Sequence, residues 1–183
     1  RTLVEAAGMT LVDVAIDLTD VIPTWAMLES VDRWVGLPPG LWPERADDLD
    51  QGVRPAYEFT QSMTVREYAK AITRRREIEW DLADLFTKID VLLTPTSAIP
   101  AFVAEGPMPS IINGREAPRA GAVPFAMVAN LWGTPAASVP AGLSSDGLPI
   151  GLHIVGNRHA DEVVLRLARV LEQAAPWPRH APR

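Results

Sequence analysis

The stretches DVLLTPT at 90–96, AASV at 136–139 and PIGLHIV at 149–155 decide the fold. Asp90 to Leu93 is short, apolar and closed by Thr94-Pro95, the pattern of a strand covered on both faces. The second and third stretches are joined by Ser144-Ser145-Asp146-Gly147, whose residue types specify a turn. A sheet covered on both faces needs a helical layer above and below it. Val164, Leu167, Ala168 and Leu171 repeat at i, i+3, i+4 and i+7, so a helix opened by Asp161 docks one face on that sheet. Pro176 and Pro178 end it. The fold class is therefore α/β, and the few visible strands belong to a sheet larger than this chain.

Upstream, Arg1 to Ala7 reads as the end of a helix closed by Gly8. Thr10 to Ile16 is β-branched and roughly alternating, and predicts a strand. Asp20 or Thr19 is placed to cap a helix from about Ile22 to Trp34, with Pro23 in its first turn. Residues 36–56 are rich in Pro, Gly and Asp and read as a surface connection with one helical turn. Thr64 to Lys88 is the longest helix candidate. It carries one apolar stripe of Val65, Tyr68, Ala69 and Ile72, and another of Leu82, Leu85, Phe86 and Ile89. Its centre, Arg74-Arg75-Arg76-Glu77, reads as a solvated face with Glu pairing. Between Pro95 and Pro149 stand nine of the 17 prolines and six of the 12 glycines, with a short helix at Ala122 to Leu131. Irregular segments of that length form lids or pocket walls.

The 183 residues are 48% hydrophobic and 22% charged, enough to bury a core. The formal net charge of −6 argues against nucleic acid or an anionic membrane as partner. No cysteine is present, which excludes disulfides, thiolate metal sites and a Cys nucleophile. No run of 18 apolar residues and no signal-peptide pattern occurs, so the expectation is a cytoplasmic protein. Arginine outnumbers lysine 15 to 2, a bias expected of a GC-rich bacterial source. The opening RTLVEAAGM lacks an initiator Met and starts inside a helix, as expected of a fragment.

A search for reactive constellations returns none that is complete. His153, His159 and His180 stand apart from one another and from carboxylates at ligand spacing, so neither a metal site nor a cofactor is expected. His153 lies mid-strand and reads as a structural histidine. No G-x-S-x-G elbow, phosphate loop or dinucleotide fingerprint occurs. Lys70 and Lys88 both lie on the long helix, with nothing to set them against a serine. Ser144-Ser145 belongs to the turn. Asp47, Asp48 and Asp50, with Arg45 and Arg54, read as a solvated loop.

The stretch from Asp90 to Gln173 nevertheless resembles the C-terminal part of the amidase signature family. The resemblance rests on Thr94-Pro95-Thr96, Asn130, Gly133, Pro135-Ala136, Val139-Pro140, Gly142, Gly147-Leu148-Pro149 and Gly151, in order and at the family's spacing. It extends loosely upstream through Tyr68, Ala69 and Arg74 and the AAGMTLVDV step. It implies a mixed sheet flanked by helices on both faces, of which residues 1–183 would be the C-terminal portion of a single domain. It implies amide hydrolysis or transfer by a Ser nucleophile, a second Ser in a cis peptide linkage and a Lys, with backbone N–H groups as oxyanion hole. Those elements lie in the N-terminal part of family members, so no residue here inherits a catalytic role.

What the resemblance leaves to this chain is a wall of the substrate pocket, formed by Ala120, Val123, Met127 and Asn130. Spacings of 3 and 4 put the first three on one helical face, either lining that pocket or facing the core. In glutamine-using relatives the place of Val123 resembles an Asp that holds an ammonium. Valine leaves that charge unpaired, which disfavours glutamine and favours an apolar or aryl amide. His153 departs from the Gln common at its place. Trp25 and Trp34 are further pocket candidates, with core packing as the alternative.

The expected function is thus a C-terminal fragment of an amide hydrolase, inactive alone, partnered by a small-molecule amide and by the remainder of its own domain. The alternatives are a non-catalytic, partner-binding subunit or a piece of a glutamine-using transamidation subunit. Open strand edges and apolar faces also predict self-association, with a homo-oligomer as one outcome.

Overall fold

The computed structural model describes residues 4–5, 8–118 and 120–177. Helices α1 (Val21–Val35), α2 (Arg54–Ser62) and α3 (Val65–Leu85) precede strand β1 (Val91–Pro95). A small hairpin, β2 (Ile111–Ile112) and β3 (Arg115–Glu116), interrupts the following loop. Helix α4 (Pro124–Trp132), strands β4 (Ala136–Leu143) and β5 (Pro149–Gly156), and helix α5 (Asp161–Ala174) complete the order. A single 3-10 turn occupies Ala46–Asp48. Among the described residues no helix is long and apolar enough to cross a membrane.

The architecture is α/β, with helices against both faces of a three-stranded sheet of order β1-β5-β4. Both ladders are antiparallel: Leu92 faces Val155 and Thr94 faces His153 on one side of β5, while Ala137 faces Ile154 and Val139 faces Leu152 on the other. Alternation along β5 then separates two cores. Ile154 points with Val139 toward Val164, Leu167 and Leu171 of α5. Val155 and Leu92 point toward Met127, Val128, Leu131 and Trp132 of α4 and Ile78, Leu82 and Phe86 from α3 and its C-cap.

Two helix ends are closed by local chemistry. α3 begins with a capping box: the Glu67 N–H donates to Thr64 Oγ1 at 3.2 Å, and the Thr64 N–H donates to Glu67 Oε2 at 2.7 Å. The two Thr64 donors hold the Glu67 carboxyl below its usual range. Thr64→Ala is expected to destabilise the protein by about 1 kcal/mol in urea unfolding. A loss below about 0.3 kcal/mol would show that the cap is dispensable. α4 ends at Gly133, whose φ of 66° and ψ of 48° bring its N–H and that of Thr134 onto the Ala129 carbonyl at 2.8 and 3.2 Å. Two arginines take the next carbonyls. Arg75 Nε donates to Leu131 O at 2.9 Å, and Arg158 Nη2 donates to Trp132 O at 2.7 Å. Glu79 holds both guanidinium groups in place.

Several expectations need correction. Among the described residues, 10–16 have no strand partner. The Thr96 N–H donates to Gly151 O at 2.9 Å, so by alternation the backbone groups of Val91 and Leu93 face the open side of β1. Val14, Ile16 and Leu18 gather at a cavity of about 220 Å³ with Leu92, Leu93 and Thr94, but no ladder forms there. Alternation favours an extended backbone; a strand also needs a bonded partner. α2 was unforeseen, because Pro55 reads as a breaker although it is tolerated in a first turn. The stripe of Val65 and Tyr68 is exposed, at 86% and 37%, and Ala71 and Ile78 are buried instead; the second stripe is as expected, with Leu82 and Phe86 buried and Leu85 and Ile89 packed against the same core. Asp20 and Asp161 make no side-chain cap bond; Asp20 pairs with Arg74 at 3.0 Å. Arg74 and Arg75 meet Glu77 and Glu79 as the charge pattern predicts. Pro178 and His180 lie outside the described residues.

Candidate functional site

The face of the sheet that carries Leu92 and Val155 changes character along its length. Two residues further along each outer and central strand stand Thr94 and His153, opposite one another. Thr94 Oγ1 and His153 Nδ1 are 3.3 Å apart. Beyond them, Thr96 Oγ1 and Ser138 Oγ are 2.6 Å apart, one hydroxyl donating to the other. Thr96 follows β1 and Ser138 lies on β4, so the two backbones are separated by the whole width of β5, roughly 10 Å. Their side chains meet above Gly151. A Cβ at that residue would lie 2.5 Å from Thr96 Oγ1 and 2.7 Å from Ser138 Oγ. The missing side chain of Gly151 is what lets a hydroxyl pair bridge the central strand.

This pair floors a cavity of about 460 Å³, within the range of small-molecule sites. Its walls are Pro95–Phe102 on one side, Ala122 and Val123 ahead of α4, and Pro149 and Ile150 at the start of β5. None of these side chains is ionisable. The Ala98 N–H donates to Ala122 O at 2.8 Å, which ties the loop after β1 to the approach to α4.

Of the four residues singled out by sequence, the structure brings one to this cavity. Val123 lines it, as the residue before the first turn of α4, at φ −129°. Ala120 sits at φ 66° in a turn in which the Val123 N–H donates to its carbonyl at 3.0 Å. The expectation that Ala120, Val123 and Met127 share a helical face is therefore corrected: Pro124 starts the helix, and only Met127 lies within it. Met127 is buried in the α3–α4 core, and Asn130 is exposed. Trp25 packs against that core, and Trp34 sits 6.3 Å from the Tyr57 ring. Sequence reading missed Thr96, Ser138 and Gly151 as one site. Thr96 and Gly151 belong to quoted motifs, but their contact depends on strand register.

His153 is buried, and desolvation of the charged ring lowers its pKa from the ordinary 6.5. Below pH 6.5 the unfolded chain takes up a proton that the folded chain resists, so stability falls as pH drops through that value. Above it, this group adds no pH dependence. The urea midpoint is expected to fall between pH 7.5 and 5.5, and His153→Gln should flatten the fall. An unchanged pH slope in that variant would refute the assignment. His159 lies in an exposed turn at φ 62°. Among the described residues no group of three His, Asp or Glu side chains is arranged to hold a metal.

The profile of the Amidase family matches residues 46–165. A glutamyl-tRNA(Gln) amidotransferase subunit of Parvibaculum lavamentivorans is 39% identical over 114 residues, 60% of this chain and 21% of that protein. Fatty acid amide hydrolase of Medicago truncatula is 34% identical over 137 residues, 73% of this chain and 22% of that protein. The chain thus spans about a fifth of the length of the curated relatives it matches. Among solved structures, a bacterial aryl acylamidase of the amidase signature enzymes superposes with a TM-score of 0.76 and 26% identity, over 96% of this chain and 40% of that one. A second structure, described as an amidase, reaches a TM-score of 0.82 at 23% identity and supports the fold alone, over 93% of this chain and 39% of that one.

Proposed function

Because this chain belongs to the amidase signature family, we propose that it supplies sheet strands and one wall of the substrate pocket of an amide hydrolase. The observation that carries the reading is the uncharged cavity with Val123 in its wall. An ammonium or carboxylate entering it would give up hydration without a counter-charge among the described residues. A neutral amide with apolar substituents gives up far less. The ligand is therefore a small carboxylic amide, cleaved to an acid and ammonia or an amine. Ala122, Val123 and Ile150 contact it; Met127 supports the wall from the core.

No residue of this chain matches the family's nucleophilic serine, cis-linked serine or lysine. Those groups come from the rest of an amidase domain, which is the chain's first partner. The 183-residue chain is expected to show no turnover of an aryl amide such as acetanilide. Turnover abolished by a serine-directed inhibitor would overturn this part of the proposal. Light scattering is expected to show self-association, because β1 keeps an open edge; a stable monomer would count against it.

A second reading has a specific observation in its favour, the 39% identity to a glutamyl-tRNA(Gln) amidotransferase component. It predicts saturable binding of glutamine at this cavity. Val123, in place of an acid, predicts none.

A further inference from the structure

We propose that Thr96 and Ser138 act together as the specificity-determining hydrogen-bonding pair of this cavity, reading the amide group of a neutral ligand. The inference rests on the pocket-wall reading above and goes further, to the atoms that select the ligand.

Two hydroxyls carry two donors and four lone pairs. Among the described residues Thr96 and Ser138 are hydrogen-bonded to each other, at 2.6 Å. That contact consumes one donor and one lone pair. One O–H remains to donate, and three lone pairs remain to accept. A secondary amide has one carbonyl acceptor and one N–H donor, so the free O–H donates to its carbonyl and a free lone pair accepts its N–H. The bond between the hydroxyls also fixes their orientation, so little rotamer freedom is lost when a ligand arrives.

The surroundings confine the pair to neutral ligands. Pro95, Ile99, Phe102, Val123 and Ile150 wall the same cavity, and none carries a charge. The backbone N–H of Thr96 is already committed to Gly151 O at 2.9 Å. Among the described residues a carboxylate would find the free O–H of the pair and the Ser97 hydroxyl but no cation, and an ammonium would find lone pairs but no anion. Neither exchange replaces lost hydration.

The pair is not explained as an ordinary cross-strand contact. Neighbouring strands pair side chains directly opposite or diagonal to one another. Thr96 follows one outer strand and Ser138 lies on the other, with a third strand between, and they reach each other only where Gly151 leaves the space. A glycine inside a central strand weakens the strand and often marks a place where another group approaches closely.

The test uses the 183-residue chain, labelled with ¹⁵N and titrated with acetanilide and, separately, with benzoate. Saturable shifts at the amides of Thr96, Val123, Ile150 and Gly151 are expected with acetanilide, and none with benzoate at equal concentration. Thr96→Val keeps the side-chain shape and removes the hydroxyl; Ser138→Ala does the same on the other side. Each should weaken acetanilide binding roughly three- to tenfold, the worth of one neutral hydrogen bond. Absence of any shift at Val123 and Ile150 would overturn the pocket-wall reading and this inference with it. Shifts at Val123 and Ile150 with unchanged affinity in both variants would overturn this inference alone. A lowered melting temperature with unchanged affinity would likewise show the pair to be structural. Equal binding of benzoate would refute the selection for neutral ligands.

Discussion

Replacing Trp132 with alanine is expected to cost about 3–5 kcal/mol of stability. The indole is 4% exposed and belongs to the core shared by α3, α4 and the sheet. Its ring lies 5.1 Å from that of Phe86, tilted by 38°, a contact that adds to the area it buries. The residue also ends α4, and its carbonyl accepts from Arg158 Nε at 3.1 Å and Nη2 at 2.7 Å. Truncation therefore opens a large void beside a helix end where the Ala129, Leu131 and Trp132 carbonyls are engaged. Equilibrium urea unfolding followed by circular dichroism measures the loss. Small domains have only about 5–15 kcal/mol in reserve, so the alanine variant stands at the limit of folding. Trp132→Phe keeps a ring against Phe86 and should lose less than half as much. A loss below about 1 kcal/mol for alanine would mean that α4 is not anchored by this side chain.

The second large effect belongs to the opposite face. Ile154 is 0% exposed and is the largest fully buried side chain of the molecule's described part. It sits in the middle of the central strand, opposite Leu93 on one side and Ala137 on the other. Val139, Val164, Leu167 and Leu171 enclose it. Ile154→Ala should cost about 2–5 kcal/mol, and Ile154→Val about 0.5–1.5 kcal/mol. The ordering of the two substitutions is as diagnostic as their size. Equal losses would show that α5 settles onto the smaller side chain and that the face is loosely packed.

These two sites also show what pattern reading recovers. β1, β4, β5 and α5 are legible because their signals are local: short apolar runs, a Ser-Ser-Asp-Gly turn, and a 3.6-residue repeat at Val164, Leu167 and Leu171. Residues 10–16 carry an equally local signal and no ladder, because strand pairing is decided by a partner edge that propensity does not see. On α3, Ala71 is a small residue that marks the buried face, while the larger Val65 and Tyr68 misdirect the stripe. The candidate site was legible at Val123. The meeting of Thr96 with Ser138 was not, since it depends on two registers at once and on the missing side chain of Gly151.

The strand order has a consequence for the growing chain. β5, the middle strand, is the last of the three to be made. Fifty-three residues (96–148) are synthesised after β1 before its partner begins, and β4 has no partner on either side until then. At about 5–20 residues per second, β1 waits several seconds on the ribosome with its bonding groups unpaired. A nascent chain halted before residue 149 therefore lacks both of these ladders, and the one halted after 156 acquires them together. Assembly of these two ladders is a single late event, timed by one eight-residue strand.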